Sequence, residues 1–391
     1  MQPSRLPAGL PDPDEQTLGH SARTATHIAT RINAEGGRIS FGEYMHLALY
    51  APGFGYYVAG KRKFGPGGDF VTAPEVSPLF GQVLARQCAE TLAAIPGGCI
   101  LELGAGSGAL AEQILTKLAA LDALPPRYFI LDASPELVER QRERLANALP
   151  DVVERIEWLD AMPSAFAGVI IANEVADALP VERFRAAPDG IEQAYVTRGP
   201  EGFEMMWMPA TESVSEIVGS LGIDLDTGYQ SEVCPPLKPW IASVLSGLDI
   251  GLFLVFDYGL ARREYYAPDR SGGWLRCHFR HRAHSDPLIL PGVQDLTAWV
   301  DFTAIAEAAS DSGASVAGYV TQAMFLLHGG LHNELSDVAA MSLTDQSELS
   351  RQIKLLTLPD EMGEHFKCMG LSRGDVVVPD ALTAADRAGM L

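Results

Sequence analysis

Apolar residues follow two periods along the chain. Short apolar runs predict β-strands, and stretches with apolar residues three or four positions apart predict α-helices. The predicted strands are 99–103, 127–132, 155–159, 168–172, 250–257 and 314–320. The predicted helices are 21–34, 40–50, 77–94, one from Leu110 to Leu121, one beginning after Ser134, 236–247 and 294–310, with mostly helical structure after 320. Since strands and helices alternate from residue 99, we predict an α/β fold with a parallel sheet.

Composition and charge narrow the possible partners. The chain has 391 residues and a formal net charge of −21, which disfavours phosphate backbones, so we predict no nucleic-acid partner. The same charge is compatible with cationic ligands. No apolar run approaches the ~20 residues that span a membrane, so we predict no membrane partner. The five scattered cysteines and the acidic, Arg-poor start of the chain favour reduced thiols and a cytoplasmic location.

A glycine-rich turn follows the strand 99–103, in the order Gly104-Ala105-Gly106-Ser107-Gly108. Glycine is needed where the backbone turns sharply from strand to helix and passes close to a ligand, because a Cβ would collide. Asp132 ends the next predicted strand, where a carboxylate can accept hydrogen bonds from ribose hydroxyls. Asp160 ends the third strand and is placed for an adenine amino group. Gly104, Gly106 and Gly108 with these two acids predict a bound nucleotide-like cofactor.

The glycine pattern alone leaves two cofactors open. Gly104, Gly106 and Ala109 also satisfy the G-x-G-x-x-G/A dinucleotide fingerprint, with Asp132 as the ribose acid. Two features favour S-adenosylmethionine (SAM) over NAD. Glu102 immediately precedes the glycines, where a carboxylate can meet the ammonium group of SAM, and the fourth strand ends in a polar cluster that hydride transfer does not require. We therefore predict a SAM-dependent methyltransferase.

The polar cluster after the fourth strand contains Asn173, Glu174 and Asp177. The carboxyl ends of parallel strands border the ligand crevice, so these residues are the catalytic candidates, and Asn173 is also a cofactor-binding candidate. A carboxylate can hold a guanidinium through paired hydrogen bonds and accept its proton. Alternatively, Glu174 and Asp177 lie at a helix N-terminus and are stabilised by its dipole. Asp257 and Tyr258 end another strand and are further candidates, although Tyr258 equally fits a core position.

Loop residues add further candidates. Glu75 ends a glycine-rich segment, Gly65 to Glu75, that we interpret as a lid over the cofactor, with a structural Ω-loop as the alternative. Ser134 is the predicted N-cap of the helix after Asp132, and both Glu75 and Ser134 are cofactor-binding candidates. A zinc site is one interpretation of four residues close together in the sequence, Cys277, His278, His281 and His284. Three arginines in the same loop would repel a metal ion, and the spacing matches no common zinc motif, so we predict no metal.

The motifs, taken in order, resemble those of the MidA-like SAM-dependent methyltransferases, the family of the mitochondrial complex I assembly methyltransferase. They are found at 64–65, 68–75, 77–81, 101–108, 132–135, 173–180, 257–259, 281–282, 295–302, 321–322 and 362–363. The resemblance covers roughly residues 20–375. Two departures stand out: Gly-Ala-Gly-Ser-Gly replaces the common Gly-Pro-Gly-Arg-Gly, and Trp299 stands where a histidine is expected, which argues against a catalytic role at that position.

The resemblance implies a class I, Rossmann-like methyltransferase fold with an inserted α+β subdomain. We divide the chain into an arm (1–20), N-terminal helices with the lid loop (21–95), the SAM-binding core (96–180), the insert (181–249), and the remaining core with a substrate-side loop and C-terminal helices (250–391). Mitochondrial members are associated with arginine methylation of a complex I subunit. We therefore predict methyl transfer to a protein side chain, arginine first, with a respiratory-complex-type subunit as one candidate partner. The alternatives are a small-molecule O- or N-methyltransferase and a non-catalytic SAM-binding assembly factor.

Overall fold

A computed structural model of the chain describes residue 7 and residues 9–58, 72–336 and 338–391. These residues form two compact units. The first comprises the described part of Met1–Phe70 with Asp177–Leu237 and Arg262–Trp299. The second comprises the described parts of Val71–Ala176, Lys238–Ala261 and Val300–Leu391. Within those ranges, no helix has the length and apolar character needed to cross a membrane.

The helices and strands of the described residues are as follows. The α-helices are α1 (Glu15–Ala34), α2 (Phe41–Tyr50), α3 (Ala73–Val76), α4 (Pro78–Leu92), α5 (Ala109–Ala120), α6 (Pro135–Ala148), α7 (Glu212–Ser220), α8 (Leu237–Ser246), α9 (Arg262–Tyr265), α10 (Phe302–Asp311), α11 (Gln322–His328), α12 (Leu343–Thr357) and α13 (Asp380–Thr383). The strands are β1 (Arg38–Ser40), β2 (Cys99–Leu103), β3 (Tyr128–Leu131), β4 (Ile156–Leu159), β5 (Phe166–Asn173), β6 (Glu182–Ala187), β7 (Gly190–Arg198), β8 (Phe203–Pro209), β9 (Gln230–Val233), β10 (Leu248–Leu260), β11 (Arg276–Phe279), β12 (Arg282–His284), β13 (Asp295–Thr297), β14 (Val300–Asp301), β15 (Ser315–Thr321) and β16 (Phe366–Arg373).

The second unit is built on one large sheet in the order β15-β16-β10-β5-β2-β3-β4, with β14 paired to β10. The neighbours from β10 to β4 are parallel, whereas β16 runs antiparallel to both β10 and β15. Ranked by position in the chain, the strands lie in the order 3-2-1-4-5-7-6 from the β4 edge. The parallel strands bring their carboxyl ends to one edge, which is where ligands bind in open α/β sheets.

The core of the second unit fills both faces of this sheet. Ile170 and Ile171 on β5 point to opposite faces of the sheet, and both are fully buried, as expected for a central parallel strand. Phe80 of α4 packs edge-on against Phe256 of β10, with ring centres 5.2 Å apart. Burying a side chain of this size contributes about 1.5–3 kcal/mol, so the strand ends are held on a well-packed scaffold.

The first unit contains two smaller sheets. One has the order β1-β7-β6-β9 with β8 paired to β7, and the other has the order β12-β11-β13. Residues 181–209, within the predicted insert, form the antiparallel strands β6, β7 and β8. The segment that contains the cysteine and three histidines singled out above forms the β11–β12 hairpin, with Arg280 and His281 at positive φ in its turn.

Most predicted elements are confirmed, including the strand at 99–103 and the cap at Ser134. Helix α1 begins earlier than expected, at Glu15, because Asp14 accepts a hydrogen bond from the Thr17 N–H at 2.8 Å and caps it.

The helix predicted over 294–310 is wrong in its first turns. Residues Asp295–Thr297 pair with β11, and Val300–Asp301 pair with β10, so the chain is extended there. The helix begins only at Phe302, where Asp301 caps it by accepting hydrogen bonds from the Thr303 and Ala304 N–H groups at 3.0 and 3.2 Å. Pairing with distant strands overrides the helical apolar spacing.

The C-terminal part, predicted as mostly helical, also contains β16. This strand inserts between β10 and β15 and is antiparallel to both. A Cβ on its Gly370 would lie 2.6 Å from Leu382 Cδ1, so a larger residue at this position would require the Leu382 side chain to shift. Its partners lie more than 40 residues away in the chain, which is why local periodicity does not reveal it.

Candidate functional site

The predicted site residues of the second unit follow the carboxyl ends of its parallel strands. The glycine turn follows β2, Asp132 follows β3, Asp160 follows β4, and Glu174 follows β5. Asp257 and Tyr258 lie in the last part of β10. Sheet topology therefore gathers residues that are far apart in the sequence at one edge of the sheet.

The glycine turn adopts backbone angles that favour glycine. Gly104, Gly106 and Gly108 have φ values of 64°, 54° and 80°, in the left-handed region that costs other residues roughly 1–2 kcal/mol each. A Cβ on Gly104 would lie 3.1 Å from Val175 Cγ2. Gly108 is the N-cap of α5, so the turn ends at a helix N-terminus. The glycines are thus required by the strand-to-helix turn itself.

Asp132, the predicted ribose acid, is held at both carboxylate oxygens. Its Oδ1 accepts a hydrogen bond from the Ser134 N–H at 2.9 Å, and its Oδ2 accepts one from Gln141 Nε2 at 2.9 Å. The Ser134 hydroxyl is buried and caps α6 by accepting from the Leu137 N–H at 3.4 Å. Asp160 is exposed. The cofactor contacts of these residues stay predictions, but the orientation of Asp132 is fixed by the protein.

Glu102 lies inside the unit rather than on its surface. Its side chain is 2% exposed, and its Oε2 accepts a hydrogen bond from the Tyr128 hydroxyl at 2.7 Å. Burial raises the pKa of Glu102 to about 7, and the negative charge of Asp132 adds to the shift. Near neutral pH the carboxyl is therefore divided between its charged and neutral forms. Its predicted contact with the SAM ammonium group stays a prediction.

Glu75 reaches the glycine turn from α3. Its Oε1 accepts a hydrogen bond from the Ser107 hydroxyl and lies 3.8 Å from Arg144 Nη1. Arg144 Nη1 also donates to the Ser107 hydroxyl at 3.2 Å. The structure thus places Glu75 at the predicted cofactor turn. The preceding lid residues 59–71, including the family motif positions 64–65 and 68–71, lie outside the described residues.

Glu174 occupies a strained position at the end of β5. Its φ is 55°, a left-handed conformation that is uncommon outside glycine and is often found at functional sites. Its Oε1 accepts hydrogen bonds from the Ala73 N–H at 3.3 Å and from Asn173 Nδ2 at 3.1 Å. Its Oε2 accepts one from the Tyr258 hydroxyl at 3.3 Å. The structure therefore brings together the side chains of Asn173, Glu174 and Tyr258.

The hydrogen bond to Glu174 fixes which way the side-chain amide of Asn173 faces. Because its Nδ2 donates to the Glu174 carboxylate, its Oδ1 is left as an acceptor, buried and without a hydrogen-bond partner among the described residues. A buried acceptor without a partner is costly unless a ligand or water supplies a donor. Asn173 Oδ1 is therefore a ready acceptor for an N–H or O–H group of a ligand.

Asp257 and Asp177 have backbone contacts. Asp257 is fully buried, and its two oxygens accept hydrogen bonds from the Ala176 and Tyr258 N–H groups, both at 2.9 Å. It thereby holds the segment after β5 against β10, which suits a positioning residue. Asp177 belongs to the first unit, and its carbonyl accepts a hydrogen bond from the Ala298 N–H at 3.0 Å. The catalytic roles of both stay predictions.

The alternative interpretation of Glu174 and Asp177 as helix N-terminal residues is wrong. Residues 174–180 form bends and turns, and the next regular element is the strand β6. No helix dipole is therefore available in this segment to stabilise the two carboxylates.

Two residues of the site were not predicted from the sequence, Gln141 and Trp158. Gln141 on α6 bridges Asp132, the glycine turn and the indole of Trp158. The sequence contains a sign of Gln141, because Leu137, Gln141 and Leu145 are spaced four apart, which places a polar residue on the apolar face of the helix. All three residues are buried.

The cysteine and histidine loop is part of the first unit. Cys277 lies opposite His284 in the β11–β12 pair, and among the described residues no group of three or more ligating side chains could hold a metal. Burial, together with His284 and Arg276, lowers the pKa of His278 to about 4, so His278 is neutral at pH 7.

The donor and acceptor set of this site fits SAM. The cofactor carries ribose hydroxyls, an ammonium group and a sulfonium cation, and the site provides the oriented carboxylate of Asp132 and the buried acceptor of Asn173. The backbone of the glycine turn, with α5 behind it, lets a ligand approach closely. Asp132 would hold the ribose and Asn173 an N–H group of the cofactor or the acceptor, while bound SAM supplies an electrophilic methyl group.

Known proteins resemble this chain over most of its length. Residues 83–320, more than half of the chain, match a family model described as "Putative S-adenosyl-L-methionine-dependent methyltransferase". The protein arginine methyltransferase NDUFAF7, mitochondrial, of Danio rerio is 29% identical over 371 residues, covering 87% of this chain and 85% of that protein. The Homo sapiens protein of the same name is 29% identical over 380 residues, covering 88% and 82%.

Solved structures agree with the sequence relatives. A Burkholderia thailandensis protein described as a "likely methyl transferase", bound to S-adenosyl-homocysteine, is 40% identical with a TM-score of 0.92 and covers 98% of this chain and 100% of that one. A native structure of a protein of the same superfamily and organism is 39% identical with a TM-score of 0.90 and the same coverage. The chain belongs to the MidA-like family of SAM-dependent methyltransferases and has the class I fold of these enzymes, with SAM as its cofactor.

Proposed function

We propose that this methyltransferase acts on a protein side chain and that its acceptor is the guanidinium group of arginine. The observation that carries the proposal is the Glu174 carboxylate, held at the end of β5 in a left-handed backbone conformation beside Asn173 and Tyr258. A strained, non-glycine residue at this edge of the sheet is retained at an energetic cost, which suits a residue that contacts the substrate.

The hydrogen bonds of Glu174 suit a cationic acceptor. The Ala73 N–H, the Asn173 amide and the Tyr258 hydroxyl are neutral donors, and their distances of 3.1–3.3 Å are long for hydrogen bonds. A guanidinium offers two parallel, charged N–H donors, which bind a carboxylate more strongly than neutral donors do. It would therefore compete well for Glu174.

The residues around Glu174 then have distinct tasks. Glu174 would orient the guanidinium so that a nitrogen lone pair faces the methyl group of the bound cofactor. As the new N–CH₃ bond forms and the S–CH₃ bond breaks, the methylated guanidinium loses a proton, and Glu174 would accept it on the way to solvent. The Tyr258 hydroxyl would steady the Glu174 carboxylate during this exchange.

Two further observations support a cationic protein substrate. The chain has a formal net charge of −21, which attracts basic ligands at low ionic strength. Its relatives in Danio rerio and Homo sapiens are named protein arginine methyltransferases, at 29% identity. The alternatives are methyl transfer to a small molecule and SAM binding without turnover, and the experiment below separates both from the proposal.

The test follows methyl label from SAM into an extract of the source cells. The protein fraction is separated from metabolites and hydrolysed, and methylated amino acids are identified by mass spectrometry. We expect label in methylarginine, with a loss of about 100-fold or more in turnover for Glu174→Gln. Glu154→Gln, which removes an exposed carboxylate in the same unit, is the matched control and should leave turnover unchanged.

Three results would overturn the proposal. Label in small molecules alone would identify a metabolite methyltransferase, and label in lysine or another residue would exclude arginine as acceptor. Tight SAM binding with no transfer to either fraction would indicate a non-catalytic assembly factor. Full turnover in Glu174→Gln would remove Glu174 from the site.

A further inference from the structure

The side chain of Gln141 links three parts of the cofactor site. It is fully buried on α6, and its Nε2 donates hydrogen bonds to the Gly106 carbonyl at 3.0 Å and to Asp132 Oδ2 at 2.9 Å. Its Oε1 accepts a hydrogen bond from Trp158 Nε1 at 2.9 Å. Both ends of the amide are therefore engaged, and the glycine turn, the ribose acid and β4 are joined through one residue.

Trp158 decides which way the amide of Gln141 faces. An indole N–H can only donate, so the oxygen of the amide must face Trp158 and both amide hydrogens must face the other side. There they meet two acceptors, the Asp132 carboxylate and the Gly106 carbonyl. A reversed amide would place its oxygen against the carboxylate of Asp132, which is repulsive.

We propose that Gln141 is a positioning residue for cofactor binding: it sets the Asp132 carboxylate and the glycine turn for the ribose end of SAM, and Trp158 sets Gln141. Asp132 is held by the Ser134 N–H at one oxygen and by Gln141 at the other, so its plane is fixed before the cofactor arrives. Groups fixed in their binding geometry lose less entropy on association and so bind more tightly. The proposal concerns SAM binding alone and does not depend on the acceptor.

A purely structural role for Gln141 predicts a different outcome, and the chain offers a matched control. Gln87 is buried on α4 in the same unit, and its Nε2 donates to the Gly329 carbonyl at 2.8 Å. Gln87→Leu and Gln141→Leu each remove a buried amide from a helix. Both should lower the melting temperature of the free protein, and only Gln141→Leu should weaken cofactor binding.

The direct test is calorimetry of S-adenosylhomocysteine binding to the purified full chain. We expect Gln141→Leu to weaken binding about 10-fold to 100-fold, the range for a lost hydrogen bond to a charged group. If Gln141 acts through Asp132, the double variant with Asp132→Asn should bind no more than about threefold more weakly than Asp132→Asn alone. Binding by Gln141→Leu within twofold of the wild type, or losses that multiply in the double variant, would overturn the proposal.

Two further variants add readouts that a structural role would not change. Gln141→Glu places a carboxyl against Asp132, so its affinity for S-adenosylhomocysteine should fall most at pH 8 and recover towards pH 5.5, where the introduced carboxyl becomes protonated and can donate. Trp158→Phe retains an aromatic ring but removes the indole donor. It should weaken binding in the wild type but have no further effect in Gln141→Leu; an equal loss in both backgrounds would contradict the proposed order of contacts.

Discussion

Burial of Glu102 makes the stability of this protein fall as the pH rises, and the substitution Glu102→Gln should remove this part of the pH dependence. The side chain is 2% exposed beside Tyr128, and burial raises its pKa from 4.5 to about 7. Because the folded pKa lies above the unfolded value, the folded state binds this proton more tightly. The resulting stabilisation is complete below pH 4.5, decreases as the pH rises, and is lost above about pH 7.

The size of the effect follows from the pKa difference. One pKa unit corresponds to about 1.4 kcal/mol, so ionised Glu102 destabilises the fold by about 3 kcal/mol at pH 8 and by less than about 1 kcal/mol at pH 5. Glu102→Gln is isosteric, stays neutral, and retains an oxygen that can accept from the Tyr128 hydroxyl. We therefore expect the variant to be more stable than the wild type by about 3 kcal/mol at pH 8, with the advantage nearly gone at pH 5.

The assay is urea unfolding of the cofactor-free protein at several pH values between 5 and 8.5. The difference in free energy of unfolding between the variant and the wild type should grow with pH. Glu154→Gln, an exposed glutamate in the same unit, should show no such trend. If the free energies of unfolding of Glu102→Gln and the wild type changed in parallel with pH, the reasoning would be refuted. That result would mean that Glu102 has the same pKa in the folded and unfolded states.

Three further substitutions test other parts of the site. Gly104→Ala should lower stability by roughly 1–2 kcal/mol and weaken SAM binding, because its φ is 64° and the added Cβ would lie 3.1 Å from Val175 Cγ2; unchanged calorimetric affinity would contradict this. Ser134→Ala should lower the free energy of unfolding by about 1 kcal/mol because it removes the cap of α6, and the urea midpoint should fall accordingly. Ser134→Asp should retain most of the capping stabilisation, because aspartate is also a good N-cap residue. Tyr258→Phe should lower turnover a few-fold with little change in SAM affinity, since its hydroxyl donates to Glu174; a change confined to SAM affinity would assign it to the cofactor instead.

The local chemistry of this site was predictable from the sequence. The glycine turn at 104–108 and the cap at Ser134 depend on residues within a few positions of each other, so their sequence pattern reflects their backbone geometry directly. The positions of Asp132 and Glu174 followed from the rule that ligands bind at the carboxyl ends of parallel strands.

Only the tertiary structure decided which side chains meet. Asp257 binds the Ala176 N–H, and Tyr258 binds Glu174, across 81 and 84 residues of chain. The strand β16 likewise inserts between two strands that are distant in the chain, β10 and β15, although its sequence was predicted to be mostly helical. Periodicity shows which face of an element is buried, but not which distant element covers that face. For that reason the sequence by itself determined the glycine turn and the placement of Asp132 and Glu174 after their strands, and the fold determined that Gln141 and Tyr258 hold these two carboxylates.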